Sequence, residues 1–505
     1  MRTPSSSAEL DRFRAVIAAK LGLALDDGKL DLLSELLGQR CAKMQMGSGW
    51  AYLDWLESST EAAGELRLLV PQVTVGETYF FRNPASFNAL AEVALPDRLR
   101  SPADGAAARM MSVGCASGEE PYSMAIAAQE GPCAGAPMRI QAIDANTVSL
   151  DRARRARYSL WSLRQTSEGL RRRWFQPAGS DFELVERARR LVEFEERNLA
   201  DPLCELASAG TLDIVFCRNV LMYFTAATME AVVERLARAL APGGYLFLGD
   251  AETLWGITQS FHLRHTHDAF YYQRRESDAY APPLAPASPD WRAAGLLDSL
   301  AGDGTWVETI HQSLDRIEQL TRHSGRAPTA AAEAASSPAT DLSQATQLMQ
   351  EERFGDALDV LHALPAAQAA DPDAMLLRAV LLTNRGRPDE AERVCRLLLE
   401  LDELDAGAHY VMALCREHAG DLPGAVEHDQ AAAYLDPGFA MPRLHMGRLT
   451  RRAGNLERAR RELEQAALLL TREDSSRILL FGGGFSRDAL GQVCRAELRA
   501  CGGAK

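Results

Sequence analysis

Long apolar runs are missing from this 505-residue sequence. No stretch of about 18 or more apolar residues occurs, so no membrane-spanning helix is expected. The opening Met1-Arg-Thr-Pro-Ser-Ser-Ser7 lacks the apolar core of a secretory leader, and a cytoplasmic protein is expected. Cysteine is sparse: nine residues, an odd number, with no Cys-x-x-Cys. That pattern argues against a disulfide frame or a zinc site and for reduced thiols. His262, His265 and His267 cluster without Cys or Glu at ligand spacing, so no metal is expected. Positive charge is also short. The formal net charge is −14, which argues against a nucleic-acid partner. Two phosphate-binding signatures, G-x-G-x-x-G and the Gly-Lys-Ser/Thr loop, are absent, as is the Asn/Asp-Pro-Pro-Tyr signature of base amino-methylation. What remains is ample apolar content (47%) and a length that implies two to four domains.

The most informative stretch is Asp213-Ile-Val-Phe-Cys-Arg-Asn-Val-Leu-Met-Tyr-Phe224. Its apolar run reads as a buried parallel strand, and the polar cluster begins where that strand would end. Ligands of open α/β sheets bind at the carboxyl ends of strands. Asn219 and Tyr223 therefore stand at a candidate site, and Arg218 either faces it or anchors the loop.

Upstream, residues 8–70 carry helical spacing (Leu10, Phe13, Val16, Ile17; then Leu30, Leu33, Leu36, Leu37), and Asp26 or Asp27 is placed to cap the second helix. Thr74 to Pro84 reads as a loop that buries Phe80 or Phe81 and presents Arg82. Met110–Val113, the small-residue loop Gly114–Gly118 and a helix over Glu119–Gln129 form a strand–loop–helix unit, with Pro121 tolerated in the first helical turn. Two acids at that helix start would repel a diphosphate and suit a cationic or hydroxyl-rich ligand. Arg139–Asp144 reads as the next strand, ending in an acid placed to accept ribose hydroxyls. Residues 151–190 hold eleven Arg against five acids, which is either a solvated helix face or a docking face for an acidic protein. Further strands are expected at Leu191–Phe194, Tyr245–Gly249 and Phe270–Tyr272, a helix over Thr228–Leu240 and a turn at Pro242-Gly-Gly. Alternation of strands and helices over 105–275 predicts a doubly wound, mostly parallel sheet.

Beyond this, residues 276–340 are Pro- and Ala-rich and read as a linker, with a helix around Trp306–Leu320. Ala357, Ala391, Ala425 and Ala459 then recur every 34 residues, and Gly386, Gly420 and Gly454 keep the same step. That is the tetratricopeptide (TPR) period of paired helices. The tail Phe481-Gly-Gly-Gly-Phe485, then Arg487–Leu498, reads as a turn and a final helix covering the array's end. The expected boundaries are 8–72 (helical), 73–275 (α/β), 276–340 (linker), 341–475 (repeats) and 476–505 (capping helix and tail).

Six ordered motifs carry a family resemblance: Glu77-Thr-Tyr-Phe-Phe-Arg82, Gly118-Glu-Glu-Pro-Tyr-Ser123, Ala142-Ile-Asp144, Asn198-Leu199, Cys217–Phe224 and Pro242–Gly249. Together they resemble the CheR-type chemoreceptor glutamate methyltransferases. The TPR extension is similar to that of members in Frz- and Wsp-type chemosensory systems. The resemblance implies an α/β S-adenosylmethionine-dependent methyltransferase fold with an N-terminal all-α domain and a C-terminal α-solenoid. It implies S-adenosylmethionine as methyl donor, S-adenosylhomocysteine as product and a methyl-accepting chemoreceptor as substrate. It places Thr78, Arg82, Gly114, Glu120 (or Glu119), Asp144, Asn198, Leu199, Asn219 and Val220 against the cofactor. For the transfer itself, Arg82 is expected to hold or screen the substrate carboxylate and Tyr223 to hydrogen-bond near the reacting atoms. The segment from Phe175 to Val192 is short beside the subdomain with which peptide-dependent members grip a receptor tail, so that tether is not expected. Contact with the membrane is expected only through the receptor, and the TPR array is expected to bind a further chemosensory protein. The rival readings are a methyltransferase acting on RNA or a small molecule, and an inactive fold serving as a TPR scaffold.

Overall fold

The structure, a computed structural model, describes residues 6–74, 76–100, 107–250, 252–276, 338–351, 353–483 and 485–502. The linker helix expected around Trp306–Leu320 lies outside them. The described residues fall into two compact units. The first holds residues up to Glu252 and those from Ser260 to Glu276; the second holds Thr253–Gln259 and residues from 338 onward.

The first unit begins with four helices, α1 (Ser7–Leu21), α2 (Leu30–Lys43), α3 (Gly49–Ser58) and α4 (Ala62–Val73). Their apolar stripes meet in one core around Phe13, Ile17, Leu33, Tyr52 and Leu69, all fully buried. Ser6 starts α1 with a reciprocal capping box to Glu9. The expected cap of α2 is corrected: Asp26 precedes a short 3-10 turn (Asp27–Lys29) and makes no side-chain cap bond, while Asp27 pairs with Arg14 at 2.6 Å.

Next come α5 (Pro84–Ala89) and α6 (Leu95–Arg100), joined by one π-helical turn. A seven-stranded sheet follows. Its strands are β1 (Ala108–Val113), β2 (Met138–Asp144), β6 (Val192–Glu196), β7 (Leu212–Cys217), β8 (Leu240–Leu248), β9 (Phe261–Thr266) and β10 (Ala269–Arg274). The spatial order is β6-β2-β1-β7-β8-β10-β9. The first five are parallel; β10 is antiparallel to both β8 and β9. Helices α7 (Glu119–Glu130), α8 (Thr147–Arg155) and α11 (Ala226–Ala239) form the crossovers. β1 and β7 are nearly all buried, as strands covered on both faces must be. Because β1 leads to β2 on one side and the chain later returns as β7 on the other, strand order reverses between β1 and β7. That is where such folds open a ligand crevice.

Two local expectations change, and one element is added. Pro242-Gly-Gly does not form a turn between elements. It bulges within β8, where the register shifts from Leu212↔Leu240 to Ile214↔Tyr245. Phe80 and Phe81 are both buried, not one of them. A second, three-stranded antiparallel sheet also forms, from β3 (Arg157–Tyr158), β4 (Phe175–Ala178) and β5 (Asp181–Leu184), ordered β3-β5-β4, with α9 (Glu168–Trp174) and α10 (Glu186–Arg189) beside it in sequence. Most of the basic island sits here with carboxylate partners, including Arg157–Glu183, Arg173–Glu130 and Arg190–Glu186.

The second unit is a solenoid of helix pairs. First helices Pro372–Asn384, Ala406–His418 and Ala440–Arg452 start 34 residues apart, and each is followed by a second helix (Pro388–Leu401, Leu422–Leu435, Leu456–Leu470). Ala357, Ala391, Ala425 and Ala459 lie on second helices with no exposure, because only a small side chain fits where paired helices cross. Gly386, Gly420 and Gly454 follow the first helices at φ 67–82°. The final helix runs over Arg487–Ala500, and a short helix, Ser475–Phe481, precedes it where none was expected.

Candidate functional site

Two adjoining cavities open at the carboxyl ends of β1, β2 and β7. The larger is a half-open cleft of about 910 Å³, open solvent included, and its walls include Gly114, Asp144, Asn198, Leu199, Asn219, Val220 and Tyr223. The smaller is lined by Thr78, Arg82, Glu120 and Arg218, and shares Gly114, Asn219 and Tyr223 with the larger. Apart from the alternative Glu119, every residue expected at cofactor or substrate thus lines one cavity or both.

The backbone makes this crevice. Gly114 turns out of β1 at φ +69°, and a Cβ there would lie 2.4 Å from Cγ2 of Val220. The β1 and β7 loops touch only because residue 114 has no side chain. Asn219 turns out of β7 at φ +58°, a conformation that asparagine tolerates better than most residues. The opposite wall comes from the N-terminal helices. Gly22, at φ +70°, ends α1; its carbonyl accepts from Thr225 N–H, and Ala24 N–H donates to the Tyr223 carbonyl, each at 2.8 Å. Leu23 and Phe224 form the bridge between these bonds.

Two carboxylates face the space. Asp144, at the end of β2, accepts Ala116 N–H at 2.8 Å and Asn146 N–H at 2.7 Å. Burial pushes its carboxyl above the ordinary aspartate value against those bonds. Glu120, in the first turn of α7, accepts Ser112 Oγ–H at 2.8 Å and pairs with Arg218 at 3.3 Å. Burial raises it too, and Arg218 pulls it back. Glu119 is directed to Ser117 Oγ at 2.7 Å and is in neither cavity wall. Arg218 combines the two roles left open for it. Its side chain is 2% exposed, lies over Phe87 at 5.7 Å and binds Glu120.

Buried carboxylates of raised pKa need donors or positive charge to stay ionised. This pair of acceptors therefore fits a cationic, hydroxyl-rich ligand, which is what S-adenosylmethionine is. The apolar walls from Leu23, Ile143 and Val220 suit an adenine ring.

Arg82 donates to the Glu77 carbonyl at 3.2 Å and lies over the Tyr79 ring at 5.8 Å. Around it Phe81 and Asn83 both hold positive φ, pinned by Phe81 N–H to Ser123 Oγ (3.0 Å) and by Asn83 to Asp250 (2.5 Å). Tyr223 faces both cavities, with Lys29 over its ring at 5.8 Å.

One residue that holds a wall of the crevice escaped the sequence reading. Glu252, 4% exposed, accepts the backbone N–H groups of Gly249, Asn219, Val220 and Met222 at 2.6–3.3 Å. The available signal was an acid just past the Tyr245–Gly249 strand. The histidines do not converge: His265 stacks on Phe270 and His267 meets Glu92 at 3.1 Å. Among the described residues no group of three or more His, Cys, Asp or Glu is arranged to hold a metal.

Residues 76–270 match the family model described as CheR methyltransferase, SAM binding domain. The chain is 30% identical over 459 residues to the probable biofilm formation methyltransferase WspC of Pseudomonas putida, covering 90% of this chain and 97% of that one. It is 32% identical over 257 residues to chemotaxis protein methyltransferase 2 of Vibrio cholerae serotype O1, covering 50% of this chain and 88% of that one. A crystal structure of MamA protein aligns with 32% of this chain and 91% of its own at 17% identity and TM-score 0.24, a likeness too low to carry weight. With a matching crevice in its sheet and a relative matched along nearly its whole length, this chain belongs to the CheR-type, S-adenosylmethionine-dependent methyltransferases of chemosensory pathways.

Proposed function

We propose that this chain methylates glutamate side chains of a methyl-accepting chemoreceptor, leaving S-adenosylhomocysteine as the other product. The observation that supports this best is the shared wall: Arg82 and Tyr223 line the cavity that also holds Glu120, next to the one that holds Asp144. When bound, S-adenosylmethionine supplies an electrophilic methyl on a sulfonium. Asp144 accepts its ribose hydroxyls, Glu120 its cationic end, and Asn198, Leu199, Asn219, Val220, Thr78 and Gly114 shape the rest of the seat.

A glutamate carboxylate, with an ordinary pKa of about 4.3, is already ionised at pH 7, so no general base is needed. Arg82 holds and screens that carboxylate, and Tyr223 donates a hydrogen bond beside it. Orientation in a dry site is worth roughly 7–11 kcal/mol in favourable cases, and the chain's contribution is of this kind. In this reading residues 8–72 cover the cofactor, 73–275 perform the transfer, and the repeats of 341–475, capped by 476–505, dock a protein of the same pathway. The protein works in the cytoplasm and meets the membrane only through its receptor.

The test is incubation with methyl-labelled S-adenosylmethionine and membranes carrying the cognate receptor. Label on the receptor that leaves in mild base is the expected result, since methyl esters hydrolyse there. Base-stable label, or label on RNA, would replace this reading.

A further inference from the structure

Beyond methyl transfer, the second unit holds a contact that its repeat pattern does not require. After the last repeat helix ends at Leu470, the chain forms Ser475–Phe481 and lays it against the first helices of the pairs. Phe481 meets Tyr410 edge-on with ring centroids 5.9 Å apart and Phe439 at 4.9 Å. It also rests on bare backbone: a Cβ on Gly407 would lie 2.8 Å from its Cζ and 3.0 Å from Cδ2 of Leu376. One turn earlier, Arg477 lies 4.4 Å over the Phe439 ring and pairs with Asp436 at 2.8 Å. Glu473 accepts Ala440 N–H at 2.7 Å and joins the segment to the start of the last of these first helices.

The first helices from Pro372, Ala406 and Ala440 thus make one continuous seat, apolar at its centre and acidic at Asp436. Solenoids of this kind use such extended surfaces to bind other chains. The seated segment is only seven residues long, too short to be a stable helix alone. It is tethered by residues 471–474 on one side and by Gly482 and Gly483 on the other, so the seat imposes its order.

We propose that this surface is a peptide-docking groove held by the chain's own Ser475–Phe481, and that its external partner is a helical segment bearing arginine and phenylalanine four residues apart, which displaces it. Four-residue spacing puts both side chains on one helix face. Asp436 selects the cation, and the pocket of Tyr410, Phe439 and Gly407 selects the ring.

The probe is a fluorescein-labelled synthetic peptide with the sequence of residues 471–486, titrated into the full chain and followed by anisotropy. It should bind Phe481→Ala protein at least tenfold more tightly than wild type, because its own occupant is weakened. The same peptide carrying Phe481→Ala should bind neither. Equal affinity for both proteins, or no binding to either, overturns the proposal. If Phe481→Ala lowers overall helix content, hydrogen exchange on wild type decides instead. Excess peptide should speed exchange at Leu479–Phe481 at least fivefold by expelling that helix, and unchanged exchange there overturns the proposal. No arm of this experiment reads methyl transfer, so its outcome is independent of the proposed reaction.

Discussion

Glu252 holds Asn219 by the backbone. Its Oε2 accepts the Asn219 N–H at 2.6 Å while its Oε1 accepts that of Val220 at 2.7 Å. A carboxylate can serve four donors at once, whereas an amide turns a donor toward them. Glu252→Gln keeps the shape and strands at least one buried N–H, at a cost of about 1–3 kcal/mol. The expected outcome is a five- to hundredfold loss of S-adenosylmethionine affinity by calorimetry, with β7 and β8 intact by circular dichroism. An unchanged Kd would mean that the loop is shaped by other contacts.

Asp144 and Glu120 set a pH dependence. Burial raises both carboxyls. In the free protein their contribution to stability is greatest below the ordinary carboxylate range and is lost as pH rises through the raised values. Ligand binding runs the other way, because a cation and hydroxyl donors favour the ionised forms. S-adenosylmethionine affinity should therefore fall with decreasing pH, and begin to fall above the ordinary values of about 3.9 and 4.3. Asp144→Asn should weaken binding at pH 7 and flatten that profile in the same titration. A wild-type profile in the variant would remove Asp144 from the seat.

Arg82→Ala should lower kcat on receptor by tenfold or more, equivalent to about 1.4 kcal/mol of barrier. Separate calorimetry reports whether cofactor affinity also changes, since the side chain lines the cavity that also holds Glu120. Wild-type kcat with wild-type cofactor affinity would deny it any part in the reaction.

In the solenoid, His445 lies between two buried carboxylates, Asp429 at 2.7 Å and Glu417 at 3.1 Å. They raise its pKa to about 9 against the opposing effect of burial. Stability from a raised histidine is fully present below its unfolded value of about 6.5 and is lost as pH rises through the folded one. The repeat unit should thus soften between about pH 7 and 9. His445→Asn leaves Asp429 buried without its cation, which should cost roughly 3–5 kcal/mol in a denaturant titration. A cost below 1 kcal/mol would show that Asp429 is protonated.

The sequence revealed what depends on local order and hid what depends on distant register. Gly114, Asp144 and Asn219 were legible because each ends an apolar strand, where a parallel sheet places its ligands. The 34-residue phasing was legible because close helix crossings demand small residues at fixed steps. Glu252 was visible only as an acid after a strand. Its partners at 219–222 become neighbours once β7 lies beside β8. Pro242-Gly-Gly carries the composition of a turn, and pairing of the flanking residues with β7 turns it into a bulge. Ser475–Phe481 has too few residues to show a period, and its aromatic anchor gains meaning only from Tyr410 and Phe439, 71 and 42 positions earlier.

The ladder between Leu23 and Phe224 has a kinetic consequence. Roughly 200 residues separate its two edges, so this wall of the crevice is a contact of high sequence separation, the kind that forms slowly. Synthesis proceeds at about 5–20 residues per second. The N-terminal helices therefore wait some ten to forty seconds on the ribosome before residues 223–225 emerge to pair with them. Until then the exposed edge at Gly22–Ala24 has no partner from this ladder, and a nascent chain can bind cofactor fully only after it has made the turn that follows β7.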